Sequence, residues 1–336
     1  MNSPMSERPI VIVGGLGARD RARVRDFVLK LGAPVYAEPL SGLREDPAMA
    51  GLAITAGERM IPRGNPDSVI RIGNVPTLRF WRDLDESRRD LAVVSYSRLP
   101  FAGLSRGEVH SLDELPDNSR TGFEVGRPGF SPAGRAEARP TKDLEARPPS
   151  SWLADDHRLA TEIQRILDDE PQSELAMIRE LSRTIPAGAR VYLGNSLPIR
   201  EWDLVATREP RGFTYEANRG ANGVDGQLST FFGQCEGGRA NVCVIGDLTA
   251  IYDANAPWVV PQLDAAFRIV IINNGGGRIF DRVASLAAID KRLIINAHDF
   301  HFDHWAAMWR IEERVIELRP DAEASRRAWE RYDALW

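Results

Sequence analysis

Gly246-Asp247 and Asn273-Asn274 each follow a short apolar run, Val242 to Ile245 and Ile269 to Ile272. Together they offer one carboxylate and a side-chain amide carbonyl, with the bare backbone of Gly275 to Gly277 beside them. This is a half-shell of hard oxygen donors. Mg2+ favours such a shell, completed to an octahedron by waters and phosphate oxygens. An Asp at a strand end or an Asn pair in a turn also arises without any ligand, because both residues suit left-handed and Asx-turn backbone. The cation reading rests on the two polar tips closing two successive apolar runs.

Each run reads as a buried strand, and 255–267 between them is long enough for one crossover helix, giving a βαβ unit with parallel strands. That geometry sets Asp247 and Asn274 side by side at the carboxyl edge of one sheet, where open α/β folds bind ligands. The neighbouring segments repeat the pattern. Two helical stretches, His157 to Leu167 and Ser173 to Ile185, lead to a strand, Arg190 to Leu193, that ends in Gly194-Asn195-Ser196. Tyr215 precedes a glycine-rich turn, Asn218 to Gly226, and a helix begins over Gln227 to Phe232. A strand, Arg314 to Leu318, and a charged helix, Ala322 to Leu335, close the chain. Four polar turns on one rim suit an extended anionic ligand.

The first part of the chain has the same texture. Strands are expected at Pro9 to Val13, Val35 to Ala37, Ser68 to Ile72 and Leu91 to Ser95, with helices at Ala18 to Leu31 and Thr77 to Glu86. Gly14-Gly15-Leu16-Gly17 after the first strand has the form of a dinucleotide turn, but Asp20 stands where the third glycine of G-x-G-x-x-G belongs. A plain strand-to-helix turn is the competing reading. From Ser105 to Ser150 Pro, Gly, Arg and Glu are frequent and no apolar period persists, as in a linker. The fold class is therefore α/β, with two doubly wound, Rossmann-like parallel-sheet domains. Their limits are residues 1–110 and 151–336, with 111–150 as linker or excursion.

Composition bounds the remaining classes. The chain has 336 residues, 43% of them hydrophobic, enough for two cores. Its net charge of -5, with arginines interleaved among acids, argues against a nucleic-acid surface. Cys235 and Cys243 have no metal-type spacing and make no disulfide framework, so a cytoplasmic location is expected. No run of 18 uncharged apolar residues suggests a membrane span. His298, His301 and His304 invite a zinc reading, but their spacing cannot put all three on one helical face.

The order GD then NN at the next parallel strand resembles the signature of thiamine-diphosphate enzymes. Four strings narrow the resemblance: Gly194 to Arg200 (GNSLPIR), Asn218 to Gly226 (NRGANGVDG), Gly246 to Ala250 (GDLTA) and Asn273 to Phe280 (NNGGGRIF). They are similar to those of the menaquinone-pathway 2-succinyl-5-enolpyruvyl-6-hydroxy-3-cyclohexene-1-carboxylate (SEPHCHC) synthase family, and they cover most of residues 190–305. The first 150 residues resemble the middle domain of such enzymes more loosely.

The resemblance implies a carboligase that decarboxylates 2-oxoglutarate and adds the product to isochorismate, using thiamine diphosphate and Mg2+ or Mn2+. It implies that Asp247, Asn274 and the Gly276 carbonyl hold the cation. Asn195, Ser196, Asn222, Gly246, Leu248 and Thr249 would bind the cofactor, and Val224 would be the apolar wedge that bends it. Ser196, Arg200 and Arg219 would face substrate carboxylates, and Ile279 and Phe280 would wall the acceptor pocket. Arg79, in the segment Ile72 to Arg79, matches a basic residue sent into the active site; a surface arginine at a helix start is the alternative. The family's activating glutamate, on a pyrimidine-binding domain, has no counterpart in this sequence. The chain is then expected to be a fragment or one subunit, inactive without that domain, working as a homo-oligomer or with a separate chain. A non-catalytic regulatory subunit that holds only diphosphate and cation is the alternative.

Overall fold

The computed structural model describes residues 8–116, 150–220, 223–283, 286 and 288–336. Most of the expected linker, and Asn222, lie outside the described residues. The chain divides into two units, Met1–Glu162 and Ile163–Trp336.

In the first unit the strands are β1 (Pro9–Val13), β2 (Val35–Ala37), β3 (Ser68–Ile72), β4 (Ala92–Ser97) and β5 (Glu108–Ser111). The helices are α1 (Arg21–Leu31), α2 (Met60–Arg63) and α3 (Arg79–Glu86). All strands are parallel, in the order β2-β1-β3-β4-β5. Every residue of β1, β2 and β3 is buried, which is why β1 and β2 read as continuous apolar runs rather than alternating ones, while β3 also buries Ser68 and Arg71. β5 was not expected. It is an edge strand with no buried residue, so it carries no apolar signal.

Gly14 and Gly15 are explained by packing. A Cβ at Gly14 would lie 2.2 Å from the carbonyl oxygen of Asn74, and one at Gly15 3.2 Å from the Asn74 amide. The Asn74 N–H also donates to the Gly15 carbonyl at 2.9 Å. Asp20, standing at the third-glycine position, is buried and paired with Arg98 at 2.7 Å. The turn therefore has the form of a plain strand-to-helix connection closed by the loop after β3.

A long helix, α4 (Ser150–Asp169), leads into the second unit. Its strands are β6 (Arg190–Leu193), β7 (Thr214–Glu216), β8 (Asn241–Gly246), β9 (Phe267–Ile272) and β10 (Val315–Leu318). Its helices are α5 (Glu174–Thr184), α6 (Leu197–Val205), α7 (Gln227–Gln234), α8 (Asp247–Tyr252), α9 (Asp303–Trp309) and α10 (Ala322–Asp333). The sheet is again parallel, ordered β10-β9-β8-β6-β7. β7 lies on one side of β6 and β8 on the other. The direction of winding thus reverses between β6 and β8, and open α/β sheets form their ligand crevice at such a point. The core beneath is Tyr192, Phe231, Phe232, Ile245, Phe267, Ile269 and Ile271.

One expectation is corrected. No crossover α-helix fills 255–267: α8 starts at the tip of β8, and Ala256–Gln262 is a 3-10 stretch. Pro261 inside that stretch has no N–H to donate, and its ring would strike the carbonyl four residues back, so an α-helix cannot propagate there. Phe267 opens β9 instead.

Candidate functional site

The site is built where β6, β8 and β9 end. Gly246 pairs in register with Ile272, so Asp247 and Asn273 are the first residues past two adjacent strand tips. Asp247 is 2% exposed. Its Oδ2 accepts the N–H groups of Gly275 and Gly276 at 2.8 and 2.9 Å, and Oδ1 accepts that of Leu248 at 2.6 Å. Nε2 of His298 stands 3.2 Å from Oδ2. Burial raises the Asp247 pKa, opposed by the backbone hydrogen bonds from Gly276 and Leu248 and by His298.

The two asparagines divide their work. Asn273 is structural: its Nδ2 donates to the Phe300 carbonyl at 2.8 Å and to Glu317 Oε1 at 2.7 Å. Asn274 donates its Nδ2 to both oxygens of Glu174, at 3.0 Å each. Its other end, Oδ1, is buried and has no hydrogen-bond partner. A buried acceptor left unpaired costs about 1–3 kcal/mol, so it calls for a ligand or some other explanation.

The turn that follows has left-handed backbone, and its second position can only be glycine. Gly275 and Gly276 have φ of 76° and 129°. A Cβ at Gly276 would meet the Ile295 carbonyl oxygen at 2.6 Å. The Gly276 carbonyl accepts the Arg278 N–H at 2.9 Å, which occupies one of its two lone pairs.

Behind Asn274 lies a feature that sequence reasoning missed. Glu174, the first residue of α5, and Glu201, on α6, are both buried. Burial pushes the Glu174 carboxyl up to about 7, against the hydrogen bond from Asn274, which lowers it. Glu201 is raised well above the ordinary 4.5 by burial and then by the charge of Glu174. Two carboxyls buried together do not both ionise readily near neutral pH. No local spacing pointed to Glu174, since its partner is 100 residues away. His298 was passed over with the zinc reading. It packs on Phe300 beside Asp247, whereas His301 contacts Arg319. Among the described residues no group of three or more His, Cys, Asp or Glu could hold a metal ion. The expected donor set is of another kind, with an amide and a backbone carbonyl beside one carboxylate.

At the tip of β6, Ser196 caps α6 with φ 76° and ψ -132°, a conformation rare outside glycine. Its carbonyl accepts Arg200 Nη1 at 2.6 Å. Asn195 accepts Arg219 Nη1 at 2.6 Å and donates to the Gly223 carbonyl at 2.9 Å; its N–H is bound by Gln227 Oε1. Arg200, from α6, and Arg219, from the segment after β7, are thus both bound to the turn of Asn195 and Ser196. Gly194 lets that turn lie against β8, for a Cβ there would come within 2.9 Å of the Ile245 side chain. Val224, Leu248, Ile279 and Phe280 are half-buried, and Thr249 is buried in α8. Arg79 belongs to the first unit, where it pairs with Asp83 at 2.8 Å and Glu86 at 2.9 Å.

A scan against models of protein families found no match. Individual proteins do match. The chain is 39% identical, over 98% of its length, to the SEPHCHC synthase of Bdellovibrio bacteriovorus, and covers 62% of that protein. It is 33% identical over 93% of its length to the synthase of Akkermansia muciniphila, covering 55% of it. The chain is a homologue of the SEPHCHC synthases. The matched stretch takes in both units of this synthase homologue, which spans from about half to 62% of the length of these relatives. Among solved structures, a protein described as a thiamin diphosphate-dependent enzyme from Mycobacterium smegmatis aligns with 94% of this chain and 62% of its own. The TM-score is 0.53 at 16% identity, which speaks for the shared fold.

Proposed function

We propose that this chain is the Mg2+- and diphosphate-binding part of a SEPHCHC synthase. The reading is carried by the buried, unpartnered Oδ1 of Asn274, on the turn at the tip of β9 that Asp247, at the tip of β8, holds through its carboxylate. The donor set fits a hard divalent cation: one carboxylate, one amide oxygen and a backbone carbonyl with a free lone pair leave room for waters and phosphate oxygens. Mn2+ would suit the same oxygens.

Bound thiamine diphosphate would supply the electron sink for loss of CO2 from 2-oxoglutarate and addition to isochorismate. The residues of this chain bind and orient. Asp247, Asn274 and the Gly276 carbonyl would hold the cation, while Asn195, Ser196, Asn222, Gly246, Leu248 and Thr249 would border the diphosphate, and Val224 would give the cofactor apolar support. Arg200 and Arg219 meet substrate carboxylates, where a planar guanidinium binds bidentately. Ser196 assists them, and Ile279 and Phe280 wall the acceptor side. Arg79 is assigned to a substrate acid, at the cost of exchanging its bonds to Asp83 and Glu86. The glutamate that activates the cofactor would come from a pyrimidine-binding domain outside these residues. Exposed Tyr252, Trp258, Leu293, Phe300 and Met308 offer apolar surface for that domain or for a second copy of the chain.

The test is to mix the chain with a pyrimidine-binding domain of the same family and follow CO2 release from 2-oxoglutarate, with and without isochorismate. Release that needs both proteins supports the proposal. No release from a folded mixture that binds the cofactor would favour a regulatory subunit that only holds diphosphate and cation.

A further inference from the structure

We propose that Glu174 is a positioning residue that decides which end of the Asn274 amide faces the cation. The inference rests on the cation reading above and adds to it a residue with no part in direct ligation.

An asparagine amide has two ends of nearly equal size, one an acceptor and the other a donor. Only the oxygen end can ligate a cation; the NH2 end turned toward it would repel it. Shape alone therefore does not define the ligand, and something must select the orientation. Glu174 supplies that selection. Both of its oxygens lie 3.0 Å from Asn274 Nδ2, so the donor end is held from behind by two acceptors. With Glu174 ionised, a flipped amide would set its oxygen against both carboxylate oxygens. With Glu174 in place, Oδ1 is the end left over, buried and unpaired.

Glu174 is itself fixed. It is the first residue of α5, Ser173 caps that helix by accepting the Ala176 N–H, and the Glu174 N–H donates to Ser325 Oγ at 3.0 Å. The backbone that carries the carboxylate is therefore held in place on one side of the amide. Partners behind a metal ligand commonly matter by 10–100-fold in metal affinity.

The test is a double-mutant cycle on the 336-residue chain, read as the Mn2+ dissociation constant with saturating thiamine diphosphate, from the spin-resonance signal of free Mn2+. Glu174→Gln presents one acceptor and one donor, which satisfies either orientation of Asn274. About 10–100-fold weaker Mn2+ binding is expected. Exchanging the pair, Glu174→Gln with Asn274→Asp, restores a donor opposite an acceptor. Because a carboxylate shows oxygen at both ends, orientation no longer needs selecting, so the exchanged protein is expected to bind Mn2+ within about threefold of the original or more tightly. The exchanged pair also decides the matter if Glu174→Gln alone does not fold. Unchanged affinity in Glu174→Gln, or loss in the exchanged protein as large as in the single variant, overturns the inference while leaving the cation site standing. Failure of the unaltered chain to bind Mn2+ and thiamine diphosphate overturns the site as well.

Discussion

Asp247 Oδ2 accepts the N–H groups of both Gly275 and Gly276, so the carboxylate at the tip of β8 sets the shape of the turn at the tip of β9. A side chain proposed as a cation ligand would thereby also build the backbone that carries the second proposed ligand. Replacing Asp247 should damage both. Asp247→Asn sets its NH2 against the N–H of Leu248 or against those of Gly275 and Gly276, all of which need an acceptor. We expect it to abolish the stabilisation by Mg2+ and thiamine diphosphate, which at 100-fold saturation would be about 2.7 kcal/mol in the original chain. Thermal melts with and without the pair, and again after chelation, check this.

Gly276→Ala should destabilise without any ligand present. Its φ of 129° is open only to glycine, and the new methyl would meet the Ile295 carbonyl at 2.6 Å. A loss of at least roughly 1–3 kcal/mol is expected in urea unfolding, from backbone strain with the clash added to it.

Ser196 should answer in the opposite direction. Its φ of 76° with ψ -132° is strained for a residue with a Cβ. Ser196→Gly is expected to raise stability by roughly 0.5–2 kcal/mol, the relief of strain less the added freedom of the unfolded chain. If the serine serves binding as proposed, thiamine diphosphate affinity falls in the same variant, and calorimetry beside urea unfolding separates the two effects.

Glu201 gives stability a pH dependence with a definite sign. Burial raises its pKa well above 4.5, so its contribution is fully present below that value and is lost as pH rises through the folded-state pKa. Glu201→Gln cannot ionise. Its melting temperature relative to the original chain should therefore climb between about pH 5 and pH 8. A difference that stays flat over this range would contradict the buried acid pair.

Asp20 in the first unit has the reverse sign. Its hydrogen bond with Arg98 holds the carboxyl below the ordinary 3.8, so the stability it adds is present above that value and lost as pH falls through the depressed one. Arg98→Met should move acid unfolding of the chain to higher pH, monitored by circular dichroism.

The parts legible in the sequence were those where a local signal coincides with a structural demand. β1, β2, β3 and β6 fall on their expected residues because both faces of each strand are covered and most of their residues are apolar. The polar tips Asp247 and Asn195 were legible for the same reason, as abrupt ends of apolar runs. β5 and β7 were missed: three or four residues long, at sheet edges, they bury one residue between them. The crossover was misjudged because its length suited a helix while Pro257 and Pro261 broke it. Glu174 could not be found from spacing at all. On α5 it reads as an ordinary acidic residue in a first helical turn, and only the fold brings it to Asn274.

The most direct test of the central claim is calorimetry of the 336-residue chain with thiamine diphosphate, with and without Mg2+. We predict saturable heat only when both are present, and none for Asp247→Asn under the same conditions. Equal heat without Mg2+ after chelation, or equal heat for Asp247→Asn, would contradict a cation held between Asp247 and Asn274.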